Sequence, residues 1–538
     1  MKIRQSVFVP VLVAAAAVLA PLYGPAVRAQ APPASQTGDD LESIQRSVMG
    51  AYALVEKNFA DKVDSEKAFY GTGTGAGAIP GMLRTLDPHS NFVDPQEYAE
   101  MQRKMHAEYF GVGMEIFLDT ASGHVIVTRP FAGSPAWKAD LRRGDIITAV
   151  DGKDTKGMDT SAVAGMLRGP RGTNVRVTVK REGAPDYISV EVTRGSIETT
   201  LVDAFWVQPG IVYLKIDSFE AQNVSRDVEA NMRRLGEGDV KGMILDLREN
   251  PGGLVSEAVN VAGRFLKDGV IVVSHHGRAE AEQMFRAKAV AAAQKYPMVV
   301  LVNEHSASAA EIVSGALQDH DRAWILGTTT FGKGLVQAQF PLHEGAALLL
   351  TIAHYYTPSG RLIQRDYSHS SFYDYYTHHD GETQNTQDIK ATDSGRKVFG
   401  GGGITPDEKY PSHVYNLFER RTLGNLAFMH FGGTYWAGGA KPSLPANWQP
   451  DTTTVERFRT YLKTTSIPFT DEEFNANLDF IRQEIRYELY WRAFDKTTAE
   501  RARWADDPEV KKGVESLPKA QSLLQTVQRV LAERGIHG

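Results

Sequence analysis

Ser308 and Lys333 are the two residues whose types and surroundings best fit a chemical reaction. Ser308 opens the run S-A-A-E, and Lys333 lies between two glycines in T-F-G-K-G-L-V-Q, which ends at Gln337. A serine hydroxyl becomes a nucleophile when a neighbouring base takes its proton, and a desolvated lysine can be that base without a histidine. The pair therefore predicts acyl transfer by a serine nucleophile with a lysine base.

Ser308 also fits a purely structural role. The run S-x-x-E is the capping-box pattern, in which Ser308 and Glu311 satisfy free N–H groups at the start of a helix. The two roles are compatible, because a helix N-terminus also presents free N–H groups and a positive dipole end to an oxyanion. Both interpretations of this serine are therefore kept.

Lys333 lies in G-T-T-T-F-G-K-G, which approaches the phosphate-binding pattern G-x-x-x-x-G-K-[ST]. Gly334 offers no hydroxyl for magnesium and L-V-Q-A-Q-F alternates like a strand, so nucleotide binding is disfavoured. A lysine base must be neutral, which requires its pKa to fall from about 10.4 towards roughly 7 to 8. Flanking Phe331 and Leu335 favour burial, which lowers the pKa of an amine. Gln337 is predicted to hold this amine, although a solvated strand face would also explain a glutamine there.

Other candidates for chemistry are weaker. Neither a Ser-His-Asp order nor a G-x-S-x-G motif accompanies Ser308, so the histidines around it are predicted to be structural or exposed. These histidines are His305, His320, His343 and His354. His378, His379 and Asp380 have weak metal-ligand spacing in a polar tract, which favours a loop. The Gly71–Gly77 run contains G-x-G-x-x-A without a preceding apolar strand and is interpreted as a turn.

Composition limits the possible partners. A chain of 538 residues is too long for one ordinary core, so several domains are expected. The 59 basic and 65 acidic residues give a net charge of −6 without basic stripes, and no nucleic-acid partner is expected. The sequence contains no cysteine, which excludes disulfides, thiolate metal ligands and a cysteine nucleophile.

The first residues have the pattern of an export signal. Lys2 and Arg4 precede an apolar stretch over residues 7–20, and small residues follow in A-V-R-A-Q. This pattern predicts a secretory signal peptide over residues 1–29 and an exported protein of the periplasm or cell envelope. An uncleaved membrane anchor is the alternative, but Pro10 interrupts the run, which is shorter than the roughly 20 residues a span requires.

Alternating strands and helices must position the reacting pair. Apolar runs at Ile211–Phe219, Gly242–Arg248 and Pro297–Asn303 predict buried strands, with helices between them. Ala309–Leu317 has its apolar residues on one helical face. Ser308 is therefore expected at a strand-to-helix turn, at the edge where α/β sheets bind ligands.

Helical periodicity flanks this region on both sides. An amphipathic helix is predicted near the N-terminus from Leu41, Ile44, Val48, Ala51 and Val55. A second stripe consists of Phe474, Leu478, Ile481, Ile485 and Leu489. We interpret this second stripe as a surface that packs against the rest of the protein.

Residues 107–195 resemble a PDZ domain. Short strands separated by glycine, proline and aspartate turns contain the G-V-G loop, an S-P-A helix start, L-R-R-G-D-I-I and V-D-G in order. Such domains bind peptide C-termini, because backbone N–H groups of the glycine loop hold the carboxylate while the peptide extends a strand edge. The resemblance implies that Gly111, Val112 and Gly113 contact a peptide. A small β domain whose glycines only permit turns is the alternative.

Together the motifs resemble the C-terminal processing (tail-specific) serine proteases. The resemblance runs from about Leu41 to Pro411 and includes L-D-P-H-S-N-F-V-D-P-Q-E-Y, L-D-L-R-E-N-P-G-G-L, N-E-H-S-A-S-A-A-E-I-V-S-G-A-L-Q-D and G-T-T-T-F-G-K-G-L-V-Q. It implies that Ser308 is the nucleophile, that Lys333 is the base and that Gln337 orients the base.

The same resemblance implies an oxyanion hole. Its donors would be the N–H group of Gly252 or Gly253 and that of Ala309. Ala310 departs from the pattern, since many relatives have a third serine there, but it lies outside the proposed pair. The C-terminal part of the chain is not covered, so its role cannot be inferred from the family.

The predicted fold class is therefore a multidomain α/β protein. The expected parts are a signal peptide at 1–29, an N-terminal helical region at 30–106, the PDZ domain at 107–195, a crotonase-like α/β peptidase core at 196–411 and a helical C-terminal extension at 412–538.

The expected function is a serine endopeptidase that cleaves proteins near their C-termini. The PDZ domain would engage the substrate tail, no metal or organic cofactor is expected, and an activating or adaptor protein is a possible partner. The alternative is a PDZ peptide-binding scaffold with an inactive or partner-activated core.

Overall fold

The computed structural model describes residues 38–60, 62–71, 77–105, 110–120, 122–197, 201–279, 281–288, 296–342, 345–367, 375, 388–436 and 443–534. The expected signal peptide, the middle of the Gly71–Gly77 run, His343 and residues 378–380 lie outside them. Within these ranges the helices are too short or too polar to cross a membrane.

The N-terminal region is helical, as predicted, but it also supplies a strand to the core. Its elements are α1 (Gly38–Asn58), α2 (Ser65–Tyr70), α3 (Ala78–Leu83), β1 (Asn91–Val93) and α4 (Pro95–Met105). The amphipathic helix predicted from Leu41 to Val55 is confirmed as α1. Strand β1 pairs antiparallel with residues 347–349 of the core. This pairing places the L-D-P-H-S segment, which leads into β1, against the core, where Asp87, His89 and Ser90 are buried.

The PDZ domain is a separate β unit with its own apolar core. Its elements are β2 (Phe110–Gly111), β3 (Met114–Asp119), β4 (His124–Pro130), α5 (Pro135–Lys138), β5 (Ile146–Val150), β6 (Lys153–Asp154), α6 (Thr160–Leu167), β7 (Asn174–Lys180), β8 (Ile188–Thr193) and β9 (Gly195–Ser196). The strand order is β3-β4-β5-β7-β8, and β6 pairs with β5. Strand β3 lies at an edge of this sheet beside α6, which leaves one of its sides open to a further strand.

The core is built on a largely parallel sheet with helices on both faces. Its elements up to the second helical layer are β10 (Val202–Gln208), β11 (Ile211–Ile216), α7 (Val224–Leu235), β12 (Gly242–Asp246), α8 (Val255–Phe265), β13 (Ile271–His276), β14 (Gln283–Arg286), β15 (Met298–Val302), α9 (Ala309–Asp319) and β16 (Trp324–Gly327). Every residue of β12 and β15 is buried, as expected for central strands of a covered parallel sheet. The predicted strands and the helix after Ser308 are confirmed.

A second, antiparallel sheet completes the core. The remaining strands are β17 (Leu335–Pro341), β18 (Ala347–Tyr356), β19 (Ile389–Ala391), β20 (Lys397–Phe399) and β21 (Glu408–Lys409). The first sheet has the order β10-β11-β12-β15-β16-β21. The second has the order β1-β18-β13-β14, and β17 also pairs with β18. Lys333 lies two residues before β17, so this sheet sets the position of the predicted base.

The C-terminal extension is helical, as predicted. Its helices are α10 (Leu417–Gly424), α11 (Ala427–Tyr435), α12 (Thr452–Lys463), α13 (Asp471–Ala476), α14 (Leu478–Ala493), α15 (Lys496–Asp506) and α16 (Pro508–Glu533). The predicted apolar stripe is broken at Asn477, so that Phe474 lies on α13 and the rest on α14. The stripe is buried, as a packing surface should be, and its partners are other helices of the extension. Helix α16 covers the outer face of the parallel sheet through Val510, Leu517 and Ala520.

The extension also contacts the PDZ domain through a group we call the PDZ seat, formed by Arg143, Glu488, Trp491 and Arg492. Glu488 on α14 accepts a hydrogen bond from Arg143 Nη2 of the PDZ domain (2.7 Å) and one from Arg492 Nε (2.8 Å). The Arg143 guanidinium lies 4.1 Å from the centre of the Trp491 ring. It also donates to the carbonyl of Thr128 at the end of β4. The extension thus ties the PDZ domain to the core.

Candidate active site

Ser308 lies where the sequence predicts it, between β15 and α9. Its φ is 53°, a left-handed conformation that is uncommon for a non-glycine residue and that concentrates at functional sites. The side chain is 1% exposed, and Oγ has no hydrogen-bond partner among the described residues. The Glu311 half of the expected capping box is a short hydrogen bond, since Glu311 accepts from the Ser308 N–H at 2.8 Å. The hydroxyl remains available for chemistry.

One buried carboxylate holds the backbone of both predicted reacting residues. Glu311 Oε2 accepts from the N–H groups of Ser308 (2.8 Å) and Lys333 (2.9 Å). Glu311 Oε1 accepts from the Gly332 N–H (2.7 Å) and the Thr330 hydroxyl (2.5 Å). We call this group of donors the Glu311 cradle. Burial raises the pKa of Glu311, and these hydrogen bonds oppose the rise.

Lys333 is buried, with 6% of its surface exposed. Burial lowers its pKa to about 8, although the carboxylates of Glu311 and Asp87 act in the opposite direction. Among the described residues no hydrogen bond joins its amine to Ser308 Oγ. A buried amine with this pKa is partly neutral near neutral pH, which is the state that a general base needs.

Gln337 lies on β17 with its side chain buried. Its Nε2 donates to the carbonyl oxygen of His89 at 2.7 Å. The side-chain nitrogen of Gln337 is therefore held by the N-terminal segment and not by Lys333. The amide oxygen of Gln337 accepts no hydrogen bond from the described residues. The orienting role predicted for Gln337 remains a prediction.

The two glycines of N-P-G-G differ in what their N–H groups do. The Gly252 N–H donates to Asn250 Oδ1 at 2.9 Å, whereas the Gly253 and Ala309 N–H groups have no acceptor among the described residues. A Cβ on Gly252, at φ 102°, would lie 2.8 Å from the Ser308 Cβ. Gly252 therefore permits the close approach of the two loops, while Gly253 and Ala309 retain free donors near the serine.

The G-V-G loop of the PDZ domain directs its carbonyl groups into the domain. Val112 O accepts from the Ala136 N–H at 2.7 Å, and Gly113 O accepts from Ser134 Oγ at 2.8 Å. The N–H groups of Val112 and Gly113 have no acceptor among the described residues. Gly113 has φ 78°, and a Cβ there would lie 2.5 Å from the Ser134 Cβ. The loop thus offers backbone donors beside the open edge of β3, and Gly111 pairs with Gly195 at its base.

The other histidines stand apart from Ser308, as predicted. His305 donates its N–H to Asn303, His320 pairs with Asp393 at 2.8 Å, and His354 lies on β18. Sequence reasoning missed His89, Asn250 and Tyr375 as parts of the site. The motifs L-D-P-H-S and E-N-P-G-G pointed to the first two, but a pattern does not reveal hydrogen bonds between distant segments.

Comparison with known proteins identifies the class. Residues 210–368 match the model of peptidase family S41, and residues 126–181 match a PDZ domain model. The chain is a serine-type peptidase with a PDZ domain, and the multidomain α/β fold predicted from the sequence is confirmed. The extension α10–α16 lies beyond the residues matched to the peptidase model.

The relatives are carboxy-terminal processing proteases. The protein of that name from Bartonella bacilliformis is 40% identical over 292 residues, which are 53% of this chain and 66% of the relative. A carboxyl-terminal-processing protease from Synechocystis is 37% identical over 293 residues, which are 54% of this chain and 68% of the relative. The structure of a photosystem II D1 C-terminal processing protease covers 69% of this chain and 93% of its own, with 27% identity and a TM-score of 0.35. The chain belongs to peptidase family S41, in agreement with the resemblance seen in the sequence.

Proposed function

We propose that Ser308 is the nucleophile of this peptidase and that Lys333 is its general base. The observation that supports this most is the buried Ser308 Oγ, which has no hydrogen-bond partner among the described residues. The backbone N–H groups of Ser308 and Lys333 are held by the same oxygen of Glu311. Neutral Lys333 takes the hydroxyl proton as Oγ attacks the peptide carbonyl, and the protonated amine then gives that proton to the leaving nitrogen. Water hydrolyses the acyl-enzyme by the same steps.

The charge that develops on the carbonyl oxygen would be held by the N–H groups of Gly253 and Ala309. Both lack another acceptor among the described residues, whereas the Gly252 N–H is occupied by Asn250. The start of α9 adds the positive end of a helix dipole. The Gln337 amide oxygen would orient the Lys333 amine, because its amide nitrogen is already held by His89.

Covalent labelling tests the nucleophile. A fluorophosphonate probe should label the protein at Ser308, and Ser308→Ala should abolish both labelling and peptide hydrolysis. Ser314→Ala is the matched control, since Ser314 is a buried serine on the same helix whose hydroxyl donates to the backbone carbonyls of Ala310 and Glu311. Labelling at another serine, or turnover by Ser308→Ala, would refute the assignment.

Replacement of Lys333 tests the base. Lys333→Arg should be as inactive as Lys333→Ala, because a guanidinium does not give up its proton at working pH. In the wild-type protein, acylation should increase as the pH rises through about 8, where Lys333 becomes neutral. A flat profile from pH 6 to 9 with acylation rate-limiting would exclude a lysine base.

We further propose that the substrates are exported proteins bound by their C-terminal tails. The support is the pair of N–H groups at Val112 and Gly113 beside the open edge of β3. A peptide acid should bind full-length Ser308→Ala more tightly than its amide by about 1.5 to 3 kcal/mol, the usual worth of a charged hydrogen bond. Equal affinities by calorimetric titration would mean that this domain does not recognise a terminal carboxylate.

A core activated by a partner is the second candidate. It is favoured by the missing hydrogen bond between Ser308 Oγ and Lys333, although such bonds often form only in the substrate complex. Labelling should then occur only after a tail peptide or an adaptor protein is added. Equal labelling rates with and without a tail peptide would rule out activation by the tail.

A further inference from the structure

The L-D-P-H-S segment brings a histidine into the pocket of the reacting pair from the far end of the chain. His89 is buried, and its carbonyl accepts the Gln337 Nε2 hydrogen bond at 2.7 Å. The segment is rigid, because Asp87 Oδ1 accepts from the N–H groups of His89 and Ser90, each at 2.7 Å. Ser90 Oγ in turn accepts from the Thr351 N–H on β18 at 3.1 Å.

The imidazole of His89 extends these hydrogen bonds to Tyr375 and, through it, to Gln364. We call this series of hydrogen bonds the path. His89 Nε2 lies 3.1 Å from Tyr375 Oη, which also accepts from Gln364 Nε2 at 3.0 Å. Gln364 Oε1 accepts from the Gly334 N–H at 2.9 Å. Gly334 and Gln337 are thus connected through three buried side chains, and Lys333 is the residue immediately before the segment that they bound.

The direction of the hydrogen bond between Tyr375 and His89 depends on the tautomer of the ring. Tyr375 Oη accepts from Gln364 Nε2, and its hydroxyl can donate to His89 Nε2 when that nitrogen carries no proton. Burial, together with the charges of Lys333 and Arg365, lowers the pKa of His89 to about 3. The ring therefore stays neutral in working conditions and adds no positive charge beside the predicted base.

We propose that His89 is a positioning residue for Lys333, acting through Tyr375 and Gln364 on one side and through Gln337 on the other. This inference rests on the proposed function, since it concerns the base named there. The charged and titratable groups that face this pocket are Asp87, Glu311, Lys333, Arg365, Tyr367 and Tyr375. His89 itself is assigned no proton transfer.

Tyr375→Phe is the sharpest variant, because it removes one hydroxyl and its hydrogen bonds to His89 and Gln364 while retaining the ring. We expect kcat to fall about tenfold with KM within twofold, since one tenfold step corresponds to the loss of about one hydrogen bond. Tyr367→Phe is the matched control: Tyr367 packs edge-on against Tyr375, and the structure gives its hydroxyl no hydrogen bond within the described chain. Wild-type kcat in Tyr375→Phe would overturn the proposal.

Variants of His89 separate positioning from a structural role. His89→Gln, whose amide can still reach Tyr375, should keep most of the activity, whereas His89→Leu should lose at least as much as Tyr375→Phe. Combining His89→Leu with Tyr375→Phe should cost no more than His89→Leu alone, because both changes break the same path. Additive losses, or equal activity of the Gln and Leu variants, would contradict a shared path.

The pH profile provides a readout that a general loss of fold would not shift. A looser pocket admits water to Lys333 and raises its pKa, so the acidic limb of acylation should move above about 8 in Tyr375→Phe. An unchanged midpoint would refute the proposal. Failure of the wild-type protein to be labelled at Ser308, both with and without a tail peptide or adaptor protein, would instead refute the proposed function, and the two results are therefore distinguishable.

Discussion

Two buried glutamates, Glu311 and Glu488, each join distant segments of the chain, but they do so through different kinds of donor. In the Glu311 cradle the carboxylate accepts hydrogen bonds from neutral N–H and O–H groups and so fixes the loops of Ser308 and Lys333. In the PDZ seat Glu488 accepts from two guanidinium groups, those of Arg143 and Arg492. Burial raises the pKa of Glu311, whereas at Glu488 the two arginine charges outweigh burial and lower it.

The comparison shows what neutral donors and charged donors each contribute to a buried carboxylate site. Neutral donors hold the cradle without bringing another cation near Lys333, whose pKa would fall further beside a positive charge. The seat holds a whole domain through a buried ion pair, and such pairs are costly to break by removing one partner. The cradle should therefore control the chemical step, and the seat should control how a tail-bearing substrate is presented.

The largest expected effect comes from crowding the Ser308 loop, which the cradle holds. In Gly252→Ala the new methyl group would lie 2.8 Å from both the Ser308 Cβ and the Ala307 oxygen. Acylation should fall about 100- to 1,000-fold, as when an oxyanion site is disturbed. Gly402→Ala is the control, because nothing lies within 4 Å of the added atom. Near-normal labelling of Gly252→Ala would show that the two loops can separate freely.

Glu311→Gln should have the next largest effect. An amide can accept with one oxygen only, so two of the four donors lose their partner, and kcat should fall about 30- to 100-fold for two lost hydrogen bonds. Removing this carboxylate also removes a charge that raises the Lys333 pKa, so the acidic limb should move below about 8. Glu257→Gln, another buried glutamate that accepts a backbone N–H, should leave the pH profile in place. A limb that stays at its wild-type position would contradict the electrostatic part of the comparison.

Glu488→Gln should separate the cleavage of tail-bearing proteins from the hydrolysis of short peptides. Cleavage of a protein with a C-terminal tail should fall about three- to tenfold, since loss of the buried pair weakens the seat by up to about 3 to 5 kcal/mol. Hydrolysis of a short peptide that does not use the PDZ domain should stay unchanged. Glu484→Gln removes an ion pair with Arg503 inside the extension and serves as the control. Equal losses on both substrates would mean that the seat supports the core as well.

The smallest expected effect is that of salt. Raising the ionic strength from about 0.05 to 0.5 M shortens the screening length below 10 Å, but buried pairs are screened weakly. Tail-dependent cleavage should change less than twofold and short-peptide hydrolysis not at all. A steep salt dependence of tail-dependent cleavage would indicate that the seat opens to solvent during turnover.

Sequence patterns predicted the elements of the core well, because each has a local signal. The apolar runs before Asp246 and Asn303 and the helix after Ser308 depend on residues a few positions apart. The cradle and the seat could not be predicted this way, since Glu311 meets Gly332, and Arg143 meets Glu488, only through the tertiary fold. The break at Asn477 was also hidden, because an apolar stripe continues across two helices with similar spacing.

The pairing of β1 with β18 has a consequence for when the peptidase first becomes active. Strand β1 ends at Val93 and its partner begins at Ala347, so the PDZ domain and most of the core are synthesised between two halves of one ladder. The PDZ domain has its own apolar cluster and can fold as it emerges, but contacts of such long sequence separation form late. His89 reaches Gln337 only when this ladder closes. Under the roles proposed for these residues, the site is therefore complete only after nearly all of the core has been made.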